Sequence, residues 1–211
     1  TWVPVRMTPK HIQKHRSPAA RITRNFFLHI HAPKIHPFSL RPTFTFGLGV
    51  MAAFLFLILV ITGALLMLYY TPSIERAYDS VKDIMFVVPA GRYLRNIHRW
   101  AAHAMVLVAF LHVMRVFFTG SYLKGRTLNW VIGVAMLVIT LLLSFSGYLL
   151  PWDQLAYWAI TIGSNIAASF RELTDYLRIT PFFDIGGLVK KVLIGGETVG
   201  QEALTRFYML H

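Results

Sequence analysis

Apolar residues in this chain come in long unbroken runs, not in alternation with polar ones. From Pro42 to Ile74 no position carries a charge, and the same holds from Thr127 to Trp152. Each run exceeds the roughly 20 residues that take an α-helix across the hydrocarbon core of a bilayer. A third apolar stretch lies between them, interrupted by Arg99, His103 and Arg115. Both arginines fall near its ends, where a long basic side chain reaches the interface. The pattern predicts three spanning helices, over about 44–70, 96–118 and 128–150. Pro151-Trp152-Asp153-Gln154 closes the third. Leu155–Phe170 is apolar but dotted with Ser164, Asn165 and Ser169, too short and polar to cross, which predicts one or two helices lying on the membrane surface. Pro181, Gly186, Gly187, Gly195, Gly196 and Gly200 break up the next stretch, and Gln201–His211 reads as the start of a fourth helix heading back inward. The expected fold is an all-α integral membrane four-helix bundle, of which this chain holds three full spans and the beginning of the fourth.

Charge orients the spans. All nine acidic residues lie either between the first two spans (Glu75, Asp79, Asp83) or after the third (Asp153, Glu172, Asp175, Asp184, Glu197, Glu202). The other side is basic without acid: Arg6, Lys10, Lys14, Arg16, Arg21, Arg24, Lys34 and Arg41 precede the first span, and Arg115, Lys124 and Arg126 lie at the link between the second and third. The positive-inside rule puts the N-terminus and that link in the cytoplasm or its equivalent. The net charge of +12 is thus a mark of topology, and nucleic-acid binding is not expected. Residues 1–40 form a basic amphipathic arm, with Ile12, Ile22, Phe26, Phe27 and Leu28 among its cations, suited to lie on anionic lipid at the inner surface. The arm lacks the apolar core and cleavage site of a signal peptide. Its His29 and His31 read as part of that interface and not as a metal site. With no cysteine, the chain makes no disulfide, no iron–sulfur ligation and no thioether bond to a haem.

Against this background two histidines stand out. His98 and His112 lie fourteen residues apart in the second span, and the flanking spans carry glycines at the same interval, Gly49 and Gly63 before, Gly133 and Gly147 after. Fourteen helical residues rise about 21 Å with a net rotation of about 40°. One helix face therefore offers imidazoles at two depths, beside gaps in the side-chain cover at matching depths. Haem clamped at each level accounts for all six residues. Two axial imidazoles leave iron no open position, which suits electron transfer. If the fourth helix starts at the outer surface, His211 reaches the depth of His98, and the two bracket one haem. His112 then needs a partner about fourteen residues beyond His211, outside this chain. His103 faces elsewhere and reads as structural. The plainer alternatives are histidines hydrogen-bonded between helices and glycines that serve close helix packing.

Four stretches closely resemble the N-terminal, haem-binding half of the cytochrome b family, the membrane subunits of bc-type and plastid bf-type quinol oxidoreductases. They are Arg95-Asn-Ile-His98-Arg99-Trp100, Leu111-His112-Val-Met-Arg115, Gly147-Tyr148-Leu-Leu-Pro151-Trp152-Asp153-Gln154 and Leu204-Thr205-Arg206-Phe207-Tyr208-Met-Leu-His211. The resemblance runs over 41–211, the haem-binding domain. It implies two haem b groups. The outer, low-potential one would be held by His98 and His211; the inner, high-potential one by His112 and a ligand outside the chain. It implies that Gly49, Gly63, Gly133 and Gly147 admit the porphyrins, that Arg95 meets an outer propionate, and that Arg115, Ser121 and Trp130 serve the inner haem. Phe145, Tyr148, Leu155, Trp158, Ala159 and Ile162 match positions lining the outer quinol pocket. The family's Pro-Glu-Trp-Tyr quinol-oxidation motif is absent from this chain. Gly47 stands where the plastid-type subunit has a cysteine for an extra haem, so no covalent haem is expected. The chain ends one residue into the ligand pair of the fourth helix, which reads as a fragment or part of something longer.

The resemblance implies a di-haem subunit of a quinol:cytochrome c (or equivalent acceptor) oxidoreductase, inactive alone. It would carry electrons between an outer quinol-oxidation site and an inner quinone-reduction site. Expected partners are lipid, the C-terminal half of cytochrome b as a separate subunit or continuation, a Rieske-type iron–sulfur protein, cytochrome c or a similar acceptor, and a second copy of the complex. The expected location is a bacterial cytoplasmic membrane or another energy-conserving membrane. The alternatives are the haem b anchor of a dehydrogenase or hydrogenase, and a non-redox scaffold or transporter subunit.

Overall fold

A computed structural model describes residues 45–123, 126–176, 178, 184–196 and 198–211. The basic arm, with His29 and His31, lies outside the described residues. The three predicted spans are present as α1 (Leu48–Met67), α3 (Gly91–Phe118) and α4 (Thr127–Leu149), each long and apolar enough to cross a membrane. Between the first two lies a helix that the hydrophobic pattern did not predict, α2 (Ala77–Phe86). After α4 come α5 (Gln154–Tyr176), α6 (Ile185–Ile194) and α7 (Gln201–Leu210). Among the described residues there is no strand.

Local chemistry sets the helix ends. Gly47 precedes α1 at φ 63°, a left-handed conformation that glycine adopts without a Cβ penalty. Asp153 caps α5 by accepting from the Ala156 N–H at 2.8 Å, and Asp184 caps α6 by accepting from Gly187 at 2.8 Å. Helix α3 begins at Gly91, five residues before the apolar stretch, because its polar first turn packs on α2. That approach is close: a Cβ on Gly91 would run into the Ile84 carbonyl oxygen. Gly186 does the same for α6, where a Cβ would strike the backbone of Ala168 and Arg171 on α5.

Helix α3 packs between α1 and α4, while α5 and α6 pair across one end of the bundle. The buried core sits at that end, which is also the His98 end. Leu149, Ala156, Ile160, Ala203 and Phe207 meet there, flanked by Trp152, Ala159, Leu193 and Val199. Long-range hydrogen bonds tie the same end. Tyr70 Oη donates to the Leu150 carbonyl at 2.6 Å. Gln201 donates to the Pro72 carbonyl at 2.9 Å and accepts from the Ile74 N–H at 3.0 Å. Burial, and then the phenol of Tyr208, raise the Tyr70 pKa above the ordinary phenol range, so the group stays a donor. The spans themselves leave large apolar side chains on their outer faces, Phe54 at 62% and Leu142 at 61% exposure. Only lipid or further apolar helices can cover such faces without cost.

Candidate haem-binding site

The two histidine levels, about 21 Å apart along α3, are built by α1, α3 and α4 in register. His98 projects from α3 onto α1, where a Cβ on Gly63 would stand 3.2 Å from its Cε1. One level along, a Cβ on Gly49 would stand 3.3 Å from Cε1 of His112. On α4, Gly147 lies directly under the His211 ring, so a Cβ there would overlap Cε1. Three of the four glycines therefore sit against an imidazole. The fourth, Gly133, has nothing within 4 Å.

The structure brings His98 and His211 together from different helices, with ring centres 6.0 Å apart and planes at 75°. Each ring has its Nδ1 engaged. Thr62 Oγ1 lies 2.8 Å from Nδ1 of His98, and the Leu143 carbonyl lies 3.0 Å from Nδ1 of His211 with Ser146 Oγ at 3.2 Å. A carbonyl oxygen only accepts, so His211 carries its proton on Nδ1 and keeps the lone pair on Nε2. A metal–imidazole bond is about 2 Å, with the ring centre roughly 1 Å further back, so two imidazoles on opposite sides of one metal would have ring centres about 6 Å apart, the spacing of this pair. Among the described residues no group of three or more His, Cys, Asp or Glu converges on a metal site. A porphyrin iron, which brings four ligands of its own, would need from the protein only a pair of imidazoles such as this one. His112 differs from the pair: its Nδ1 is buried with no hydrogen-bond partner among the described residues.

The remaining candidates divide between the two ends. At the His98 end, half-buried Arg95 directs a guanidinium nitrogen to Sδ of Met85 on α2 at 3.4 Å. Beyond His112, Arg115 lies in the last turn of α3. Ser121 is in the turn after that helix, with Oγ 2.6 Å from Oγ1 of Thr119. Trp130 opens α4 and packs on Tyr122 and Phe117 at 5.3 and 5.9 Å between ring centres. His103 pairs with Trp100 at 5.9 Å and stays apart from the His98–His211 pair. Leu155, Trp158 and Ile162 form an exposed stripe along α5, while Ala159 packs onto the core. Phe145 meets Phe207 edge-on at 6.1 Å, and Tyr148 is half exposed beside it on α4. Of the six, Leu155, Trp158 and Ile162 share an exposed apolar stripe, Phe145 and Tyr148 are exposed on α4, and Ala159 belongs to the core.

Residues 34–211 match the sequence profile of the family described as Cytochrome b/b6/petB. The chain belongs to the cytochrome b/b6 family. The cytochrome b6 of Prochlorococcus marinus (strain AS9601) is 43% identical to it over 164 residues, which are 78% of this chain and 70% of that protein. The cytochrome b6 of Synechococcus sp. (strain WH7803) matches to the same extent. A solved chain of a "Hyperthermophilic respiratory Complex III" superposes with a TM-score of 0.68 at 28% identity. The match covers 89% of this chain and 47% of that one, so the present chain spans about half of its length. With three span-length helices, this cytochrome b/b6 chain is an integral membrane protein.

Sequence reasoning passed over Thr62, Ser146 and Met85, which touch the candidate ligands or Arg95. Hydroxyls within spans gave no signal by themselves, because they commonly bond a carbonyl one turn back, as Thr62 also does to Ile58 at 2.7 Å. The usable signal was their position, each immediately before a glycine of the repeated interval.

Proposed function

We propose that this cytochrome b/b6 chain carries two haem b groups, one between His98 and His211 and one on His112 with a ligand outside the chain. It would do so as the membrane subunit of a bc-type quinol:cytochrome c (or equivalent acceptor) oxidoreductase. The observation that carries the reading is the His98–His211 ring pair at 6.0 Å, both Nδ1 atoms already engaged. His98 and His211 would hold the group, which when bound would supply reversible one-electron exchange. The chain's own residues do the rest. Gly49, Gly63 and Gly147 keep the backbone clear beside each imidazole, and Gly133 leaves open space on α4 at the other level. Arg95 at one end, and Arg115, Ser121 and Trp130 at the other, would meet the propionates; a guanidinium offsets a carboxylate charge that is expensive near the bilayer.

Exposed Phe145, Tyr148, Leu155, Trp158 and Ile162, with Ala159 packed on the core among them in sequence, offer the aromatic and aliphatic contact that a hydrophobic quinol ring needs. Closure of a pocket over them falls to the C-terminal half of cytochrome b, as subunit or continuation. The acid-bearing His98 end is the outer side, where quinol is oxidised and a Rieske-type iron–sulfur protein and cytochrome c or a similar acceptor dock. The basic side faces the cytoplasm, the membrane being a bacterial cytoplasmic one or its equivalent, and the complex is a dimer.

The test is the complex purified from its own membrane. A pyridine haemochrome assay and a reduced-minus-oxidised spectrum are expected to show two b-type haems with this subunit, and quinol:cytochrome c reductase activity is expected to be blocked by an outer-site inhibitor. A spectrum without a b-type band overturns the reading. Haem b without that activity overturns the quinol:acceptor part of the reading.

A further inference from the structure

The two histidine levels differ in a way that the glycine interval hides. On α1 and α4 the glycines under His98 and His211 are each preceded by a hydroxyl residue, Thr62-Gly63 and Ser146-Gly147. At the other level the preceding residues are Leu48 and Ile132. The hydroxyls are in use. Thr62 Oγ1 lies 2.7 Å from the Ile58 carbonyl and 2.8 Å from Nδ1 of His98, and Thr62 is buried. Its single proton goes to the carbonyl, which can only accept. Were it turned to Nδ1 instead, two lone-pair oxygens would face each other at 2.7 Å. The Thr62 oxygen therefore accepts, and Nδ1 of His98 must be the donor. No corresponding group meets His112, whose buried Nδ1 has no partner among the described residues.

We infer that Thr62 is a positioning residue: by accepting the Nδ1 proton it locks His98 in the tautomer that keeps the Nε2 lone pair for iron. Gly63 lets the ring come close and Thr62 fixes which way round it stands. The inference rests on the haem reading above. A donated Nδ1 proton also makes the imidazole a stronger base toward a bound metal, which favours the ferric state.

The experiment compares Thr62→Val and Thr62→Ser in the assembled complex by redox titration and by EPR of the ferric low-spin signals. His98→Ala and His112→Ala assign each signal to its level. Thr62→Val is expected to raise the midpoint potential of the His98-level haem and shift its EPR signal, with the His112-level haem unchanged as an internal reference. Thr62→Ser is expected to restore both. Selective loss of the His98-level haem in the valine variant, with retention in the serine variant, supports the same conclusion. An unchanged potential and signal in Thr62→Val overturns it, as does equal damage by serine and valine. Should the valine variant not assemble, Thr62→Ala takes its place, with the same rise in midpoint potential and the same shift of the EPR signal expected at the His98 level, and an unchanged potential and signal overturning the proposal. Retention of both haems in His98→Ala would fell the ligand reading itself, an outcome distinct from a silent Thr62.

Discussion

Single atoms decide what the His98–His211 pair can hold. His98→Ala is expected to remove one haem of the two and leave the other; His112→Ala is expected to do the reverse, both read by haemochrome counts. The glycines rank by how close a new methyl would come. Gly147→Ala forces the His211 ring to move, whereas Gly63→Ala and Gly49→Ala meet Cε1 atoms at 3.2 and 3.3 Å that give by a few tenths of an ångström. Haem affinity at the His98–His211 level is expected to fall about 10–100-fold in Gly147→Ala and less in Gly63→Ala, while Gly49→Ala is expected to cause a smaller loss at the His112 level, measured by haem occupancy after detergent washing. The approach of His98 to Gly63 and of His112 to Gly49 was legible in the sequence because a fourteen-residue interval fixes helix face and depth together. Thr62 and Ser146 were not, since their partners lie on other helices and periodicity says nothing about which nitrogen a neighbour touches.

Among elements, the long spans read easily and α2 did not. A run of uncharged residues longer than a bilayer is thick allows few structures besides a helix. Helix α2 has ten residues, two of them joined as an exposed Lys82–Asp79 pair at 3.2 Å. A helix that short is marginal on its own propensity and forms because Ala77, Ser80 and Ile84 are buried beneath it. Its junction with α3 is correspondingly sensitive. Gly91→Ala places a methyl against the Ile84 carbonyl, a backbone atom with no rotamer to change, and is expected to cost about 1–3 kcal/mol. The measurement is the thermal midpoint of the complex, with Gly120→Ala a poor control because its φ of 61° adds strain of its own. Tyr70→Phe removes a single hydrogen bond between the ends of α1 and α4, and a loss of about 0.5–1.5 kcal/mol is expected by the same assay.

At the level of the whole molecule the sequence carries a charge asymmetry from which sidedness is expected. Absence of cysteine makes that sidedness directly measurable, since any introduced thiol is the chain's sole reactive one. Leu123→Cys, in the exposed turn after α3, is expected to react with an impermeant maleimide only from the cytoplasmic side, and Glu75→Cys only from the opposite side. Equal labelling of both from one side would overturn the orientation. What composition could not reveal is that the buried core gathers at one end. The apolar residues of the spans look alike in the sequence, yet Leu149 and Phe207 are buried while Phe54 and Leu142 are not. The difference comes from α5, α6 and α7 folding back over the His98 end, a tertiary arrangement with no periodic signature.

The partner of His98 comes from the far end of the chain, just past a helix that Gln201 fastens to the loop after α1. On the reading proposed above, chains released from the ribosome before Gln201 would present His98 without its partner imidazole, and their haem retention at that level is expected to fall below that of the full segment.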